Sequence, residues 1–259
     1  MKTSIIIPVH NREDVTFGCI ESILETTANP EIIVIDNGSH IPFKAPCEQV
    51  KVVRNERNPG WAAAINRGIQ EATGDFIAFI NNDILLTPGW VENLSWHLDN
   101  GFDLVGPMSN SVSGPQWIPP HMVGYRYTDG ALLSLHRKDL YRFAFGFHNA
   151  FLHANRPHLL LVGILLFMKR ETLDRIGKQP FDEAFGFGTF EDNDFCLQAI
   201  DAGCRLGIAQ DVFIHHWGSA TLKTVGVSIP DLFQTNLAIF NRKWPAEKQA
   251  ELKQRMACE

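Results

Sequence analysis

The sequence has no CxxC pair, and its five cysteines, Cys19, Cys47, Cys196, Cys204 and Cys258, are odd in number. Neither a disulfide framework nor a zinc knuckle is therefore expected, and a reducing compartment fits best. A basic excess is also missing. The chain has 23 Lys and Arg against 29 Asp and Glu, a net charge of −6, which argues against a general nucleic-acid binder. No apolar stretch is long enough to span a bilayer. The longest, LLLVGILLFM from Leu159 to Met168, is expected to be a buried strand. The opening MKTSIIIPVHNRED meets charge too early for a signal peptide, so a cytoplasmic protein is expected. Glycine-rich phosphate loops are absent too: neither GxxxxGKS/T nor GxGxxG occurs, and P-loop and dinucleotide-cofactor readings lose support.

What is present is a 259-residue chain, 45% hydrophobic and 20% charged, long enough for one large α/β domain or two small ones. Apolar strand patterns at 3–9, 31–39, 50–55, 75–80 and 102–107 alternate with helical patterns at 13–27, 59–73 and 88–98. That alternation predicts a mostly parallel central sheet with helices on both faces. Residues 108–158 break the rhythm with Ser, Pro, Gly, aromatics and five histidines, and are helical only around 130–151. They are expected to cover a substrate. A strand at 159–168, helices at 170–176 and 191–203, strands within 204–217 and a helix over 230–256 broken near Pro245 complete the pattern. With no internal repeat or low-complexity linker, one domain is expected, with halves at 1–107 and 108–229 and a helical tail at 230–259.

In such sheets ligands sit beyond the carboxyl ends of the strands. Three strands here end in polar residues: His10-Asn11-Arg12, Asp36-Asn37-Gly38-Ser39 and Asn81-Asn82-Asp83. Each alone reads as ordinary turn chemistry; the repetition points to a site. Asp36 can accept hydrogen bonds from a base or a ribose, or close an Asx-turn. Pro8, His10 and Arg12 form the first strand's exit. Gly60 and Trp61 open a helix whose N-terminal N–H groups can face an anion, with Asn66 further along. Asp83 suits a hard divalent cation, with Asn81 and Asn82 as neutral helpers. Glu191, Asp192 and Asp194 crowd one helix start. That favours the helix dipole, but it also supplies a general base whose pKa neighbouring charge can raise. His215 and His216 end a strand and face opposite ways, so one of them enters the site.

The segments SIIIPVHNR, IIVIDNGS, RNPGWAAAINRGIQEATGDFIAFINND, GILLFMKRETLDRIG, FGTFEDNDFCLQAIDAGCRL and DVFIHHWGSATL occur in this order. Together, over about residues 3–244, they resemble family 2 glycosyltransferases of the GT-A fold, most closely a bacterial rhamnosyltransferase-like branch. The resemblance implies inverting transfer from a nucleotide-sugar, UDP- or dTDP-linked, to a glycan or lipid-linked acceptor. It also implies a divalent metal (Mn2+ or Mg2+) and peripheral contact with the inner membrane face. It makes Asp192 the base and Glu191 a positioning acid. The donor is assigned to Pro8, His10, Arg12, Asp36, Gly60, Trp61, Asn66, Asn81 and Asn82, and the metal to Asp83 and His216. Asn110, Gln116 and Trp117 begin the acceptor side. The family's acidic DxD reads NxD here, so the first acid is missing. FNRKW at 240–244 reads as an aromatic staple. A sugar nucleotidyltransferase or a non-catalytic binding module is the competing expectation.

Overall fold

A computed structural model describes residues 1–128, 134–177, 179–218 and 227–258. The chain runs β1 (Thr3–Val9), α1 (Glu13–Thr26), β2 (Glu31–Asn37), β3 (Val50–Asn55), α2 (Trp61–Glu71), β4 (Phe76–Ile80), β5 (Ile84–Leu85), α3 (Trp90–Asp99) and β6 (Leu104–Ser109). It continues through β7 (Tyr127–Thr128), β8 (Ser134–Leu135), α4 (Arg137–Ala150), β9 (Asn155–Pro157), β10 (Leu165–Lys169), α5 (Arg170–Ile176), α6 (Glu191–Asp201), β11 (Leu206–His216), α7 (Ile229–Lys243) and α8 (Ala246–Cys258).

Among the described residues, nine strands form one sheet in the order β3-β2-β1-β4-β10-β6-β11-β5, with β9 added beside β11. Side-chain alternation sorts its core into two layers. Ile5, Ile7 and Val9 of β1 and Ala78 and Ile80 of β4 meet Cys19, Ile20 and Ile23 of α1 and Trp90 and Leu94 of α3. Ile6, Ile33, Ile77 and Phe79 meet α2 and α6 on the other side. Every residue of β1 and β4 is buried, as expected of strands covered on both faces. Gly68 lets α2 sit directly on β1, because a Cβ there would come within 2.3 Å of Ile6 Cγ2.

The α/β class and the mostly parallel N-terminal sheet match expectation: β2 and β4 flank β1 in parallel, and β3 follows β2. The break near Pro245 also occurs. Four features differ. The strand expected at 159–168 is only Leu165–Lys169, and it is antiparallel to both β4 and β6. Residues 161–163 give their N–H groups to side chains instead: Cys196 Sγ, Gln116 Oε1 and Asp192 Oδ2. Helix α4 starts at Arg137, not near 130, because Ser134 and Leu135 pair with β7; residues 129–133 lie outside the described set. Residues 206–216 form one strand with an irregular register between Ala209 and Phe213. The short strand β5, antiparallel to β11, had no sequence signal.

Candidate active site

Strand β1 leads to β2 on one side, but its other neighbour is β4. The order reverses there, which is where open α/β sheets hold ligands. A cleft of about 800 Å³ lies at this edge, within the usual range for small-molecule sites. Of the expected residues, the cleft brings together Pro8, His10, Gly60, Trp61, Asn81, Asn82, Asp83, Asn110, Trp117, Glu191, Asp192 and His216.

Four others are elsewhere. Asp36 is fully buried and accepts from Ser39 N at 2.9 Å, Phe43 N at 3.0 Å and the Arg54 guanidinium. Burial alone would raise its pKa; these donors outweigh that and hold it below the usual carboxylate value. Its Asx-turn role therefore holds, and Asn37 is the residue of that strand end that lines the cleft. Arg12, left-handed at φ 53°, clasps Asp14 with Nε at 2.8 Å and Nη2 at 2.7 Å. Asn66 bonds Phe181 O at 2.8 Å and Glu183 Oε1 at 3.0 Å, behind the cleft. Gln116 is fully buried and holds Pro107 O and Val162 N, each at 2.8 Å.

The start of α2 is also less open than expected. Gly60 N bonds Asn58 Oδ1 at 3.0 Å and Trp61 N bonds Gly186 O at 3.2 Å. Those N–H groups are thus not available to an anion. Gly60 has φ 101°, and a Cβ on it would lie 1.9 Å from Gly186 O, so only glycine fits. The Trp61 indole donates to Asn81 Oδ1 at 3.2 Å, which gives Asn81 a positioning duty. Asn82 donates to Thr16 Oγ1 at 2.8 Å and ties β4 to α1. His10 Nδ1 donates to Asn37 O at 2.8 Å, which fixes its ring at the cleft wall.

The β5–β11 ladder sets Ile84 opposite His216, which places Asp83 beside the histidine. His216 Nε2 lies 3.2 Å from Asp83 Oδ1. Its Nδ1 donates to Ser111 O at 2.5 Å, and Asn110 holds its backbone on both sides, at 2.9 and 3.1 Å. Asn110 thus fixes His216 while also lining the cleft. A ring anchored through one nitrogen presents the other, as metal-binding histidines do. Among the described residues no group of three His, Cys, Asp or Glu side chains forms a metal cluster. One carboxylate and one imidazole still fit a divalent cation that takes its other ligands from substrate phosphates and water. His215, on the opposite face, is packed by Tyr125, Tyr127 and Trp217, and burial pushes its pKa down to about 3.

Across the cleft, α6 begins with the two acids. Asp192 Oδ2 accepts from Gly163 N at 2.9 Å and Oδ1 from Asn193 N at 2.8 Å. Glu191 Oε2 is buried without a hydrogen-bond partner. Burial, then the charge of Asp192, pushes Glu191 up to about 8. Burial also raises Asp192, but its two N–H donors oppose the rise. We assign the shared proton to Glu191 and the charge to Asp192. Asp194 is not part of the cleft: it is fully buried and bonds Trp244 Nε1 at 2.7 Å and Lys243 Nζ at 2.9 Å. FNRKW therefore satisfies a buried acid as well as packing.

Sequence reasoning missed Asn58, Ser111, Gly163 and Thr189, which also line the cleft. Asn58 precedes a Pro-Gly turn and could have been found. Gly163 sits inside an apolar run and gave no sign. Of the DVFIHHWGSATL segment, residues 219–222 lie outside the described set.

A family model described as "Glycosyl transferase family 2" matches residues 4–154. An uncharacterized glycosyltransferase, YwdF, of Bacillus subtilis is 36% identical over 104 residues, covering 38% of this chain and 39% of the relative. A pre-mycofactocin glycosyltransferase of Mycobacterium tuberculosis is 27% identical over 222 residues, 82% of this chain and 42% of the relative. The chain thus spans about two fifths of the length of these relatives. Among solved structures, GalNAc-T7 with UDP, GalNAc and Mn2+ superposes with a TM-score of 0.67 at 18% identity, covering 96% of this chain and 50% of the other. Residues 1–349 of Staphylococcus aureus TarS, in complex with UDP-GlcNAc, give 0.61 at 19%, covering 99% and 71%.

Proposed function

Since the chain belongs to glycosyltransferase family 2 and has the GT-A fold, we propose that it is an inverting hexosyl- or deoxyhexosyltransferase. It moves a sugar from a nucleotide-diphosphate sugar, UDP- or dTDP-linked, to a hydroxyl of a glycan or lipid-linked saccharide. The observation that carries this is convergence: Asp83, His216 and Asp192 come from three separate elements and line one cleft at the sheet's switch point. UDP in two fold neighbours, and Mn2+ in one, favour the same donor and cation class.

Residues 1–107 hold the donor, with His10, Asn37 and Asn58 on the nucleoside side. Asp83 and His216 would hold the divalent cation, which when bound would supply positive charge toward the donor's pyrophosphate. Asp192 takes the proton from the acceptor hydroxyl as its oxygen bonds to the anomeric carbon. The bond from that carbon to the phosphate oxygen breaks from the opposite face, and the nucleoside diphosphate leaves. Glu191, protonated, keeps a second negative charge away from the reacting oxygen. Trp117, 46% exposed at the cleft rim, offers the acceptor sugar a stacking face. The cleft-lining residues within 108–229 hold the acceptor, and 230–259 brace the site. No described helix is long and apolar enough to cross a membrane; a cytoplasmic enzyme touching the membrane periphery is proposed.

Two variants test this. Asp192→Asn is expected to bind donor as the parent does while transfer falls by about 10²- to 10⁴-fold. Undiminished transfer would remove Asp192 as base. Asp83→Ala is expected to lose the Mn2+-dependent rise in melting temperature that UDP produces; an unaltered rise would take Asp83 out of the cation site.

A further inference from the structure

Helix α4 keeps one side in the protein and one side bare. Leu140 and Ala144 are buried, and Phe143 and Phe147 pack on Phe213 at centroid distances of 4.9 and 5.9 Å. Lys138, Arg142, Phe145 and Asn149 fall at i, i+4, i+7 and i+11, so they share the outward stripe, and all are exposed. Phe145 is 72% exposed; Phe151 and Leu152, just past the helix end, are 43% and 55% exposed. Phe151 leans on Phe147 at 4.8 Å, which props its ring at the surface. Large apolar side chains left in water on one element mark a contact surface.

The charge around them indicates the occupant. The whole chain has a net charge of −6, yet residues 137–158 contain four Arg and Lys against one Asp. Arg137 is turned inward onto Glu21 and Glu25. Lys138 and Arg142 are exposed on the stripe of Phe145, Arg142 with Asp139 at 3.0 Å, and Arg156 is exposed on β9. Cations beside an exposed Phe on one helix face, with an exposed Leu just past the helix end, match a lipid surface, where apolar groups enter the acyl boundary and cations meet phosphates.

We propose that this face docks on an anionic bilayer, with Phe145 and Leu152 inserted and Lys138 and Arg142 on the headgroups. It gives the peripheral membrane contact a location, but stands on α4 and the turn after it; its failure would leave the transfer chemistry untouched. The test is sedimentation of the full chain with vesicles of phosphatidylcholine alone or mixed equally with phosphatidylglycerol, at low and high salt. The parent is expected to pellet with the anionic vesicles only, and less at high salt. Phe145→Ser with Leu152→Ser, and separately Lys138→Glu with Arg142→Glu, should each cut partitioning at least about tenfold while solution transfer is unchanged. A parent that ignores anionic vesicles, or variants that bind as the parent does, would overturn the proposal. So would light scattering that shows a dimer abolished by the serine pair, which would give the face to a second copy of the chain.

Discussion

Glu191 and Asp192 are sequence neighbours with different surroundings. Asp192 receives two backbone N–H donors, whereas one oxygen of Glu191 is buried and unmatched. With its pKa pushed up to about 8, Glu191 keeps its proton in the folded state across a range where the unfolded chain has lost it. The folded state then binds more protons, so stability declines as pH rises from the ordinary carboxylate value near 4.5 to about 8. The rise of Asp192 acts in the same direction. Glu191→Gln removes the titration but keeps the shape. Thermal melts at acid, neutral and mildly alkaline pH should show parent and variant alike in acid, with the variant gaining on the parent toward pH 8. Parallel curves would mean Glu191 is ionised like a surface acid. The same scale shows what sequence could disclose. Asp83, Asp192 and His216 were legible because each ends a strand or starts a helix in a recognisable segment. Asp36, Arg12, Asn66 and Gln116 were misplaced because the groups that occupy them are distant or locally hidden: Arg54, Phe181 and Val162 among the distant ones, Asp14 among the near.

At the scale of elements, β10 explains most of what was misread. Its apolar run predicts a strand, but nothing in periodicity gives its direction or tells that its first residues leave the ladder. Because it runs antiparallel to β4, its entry, not its exit, arrives at the cleft, and Gly163 there meets Asp192. Helix α7 has an equally unreadable task. Thr189 and Phe190 both take φ 69°, unfavourable for side-chain-bearing residues, immediately before Glu191. Asn236 Nδ2 lies 2.7 Å from Phe185 O, 2.6 Å from Gly188 O and 3.1 Å from Thr189 O. With two protons it can serve two of them at once, and that is what holds the bend. Asn236→Ala leaves buried carbonyls unmatched. It should cost about 1–3 kcal/mol in urea denaturation and lower the transfer rate constant more than donor affinity. Equal stability and an unaltered rate would show that the loop keeps its shape without α7.

At the scale of the molecule, the α/β alternation, the parallel N-terminal sheet and a site beyond the strands' carboxyl ends followed from sequence, because each rests on local period and chain order. The charge of the cleft needed three dimensions. Among the described residues that line it there is no Lys or Arg, but there are the charged Asp83 and Asp192, with Glu191 keeping its proton; Arg12 feels Asp83 but is clasped by Asp14. The whole chain is net negative, at −6. A nucleoside diphosphate without a divalent cation therefore approaches a field of its own sign. Screening such repulsion should strengthen binding, whereas screening an attraction weakens it. UDP titrated in chelator is expected to bind weakly, and more tightly as monovalent salt rises from about 0.05 to 0.5 M, a span over which the Debye length shrinks about threefold. With Mn2+ present the sign should reverse, because the cation turns the pole near Asp83 and His216 attractive. If affinity in chelator instead falls steadily with salt, a cationic group outside the described lining holds the diphosphate, and the NxD site is not what neutralises it.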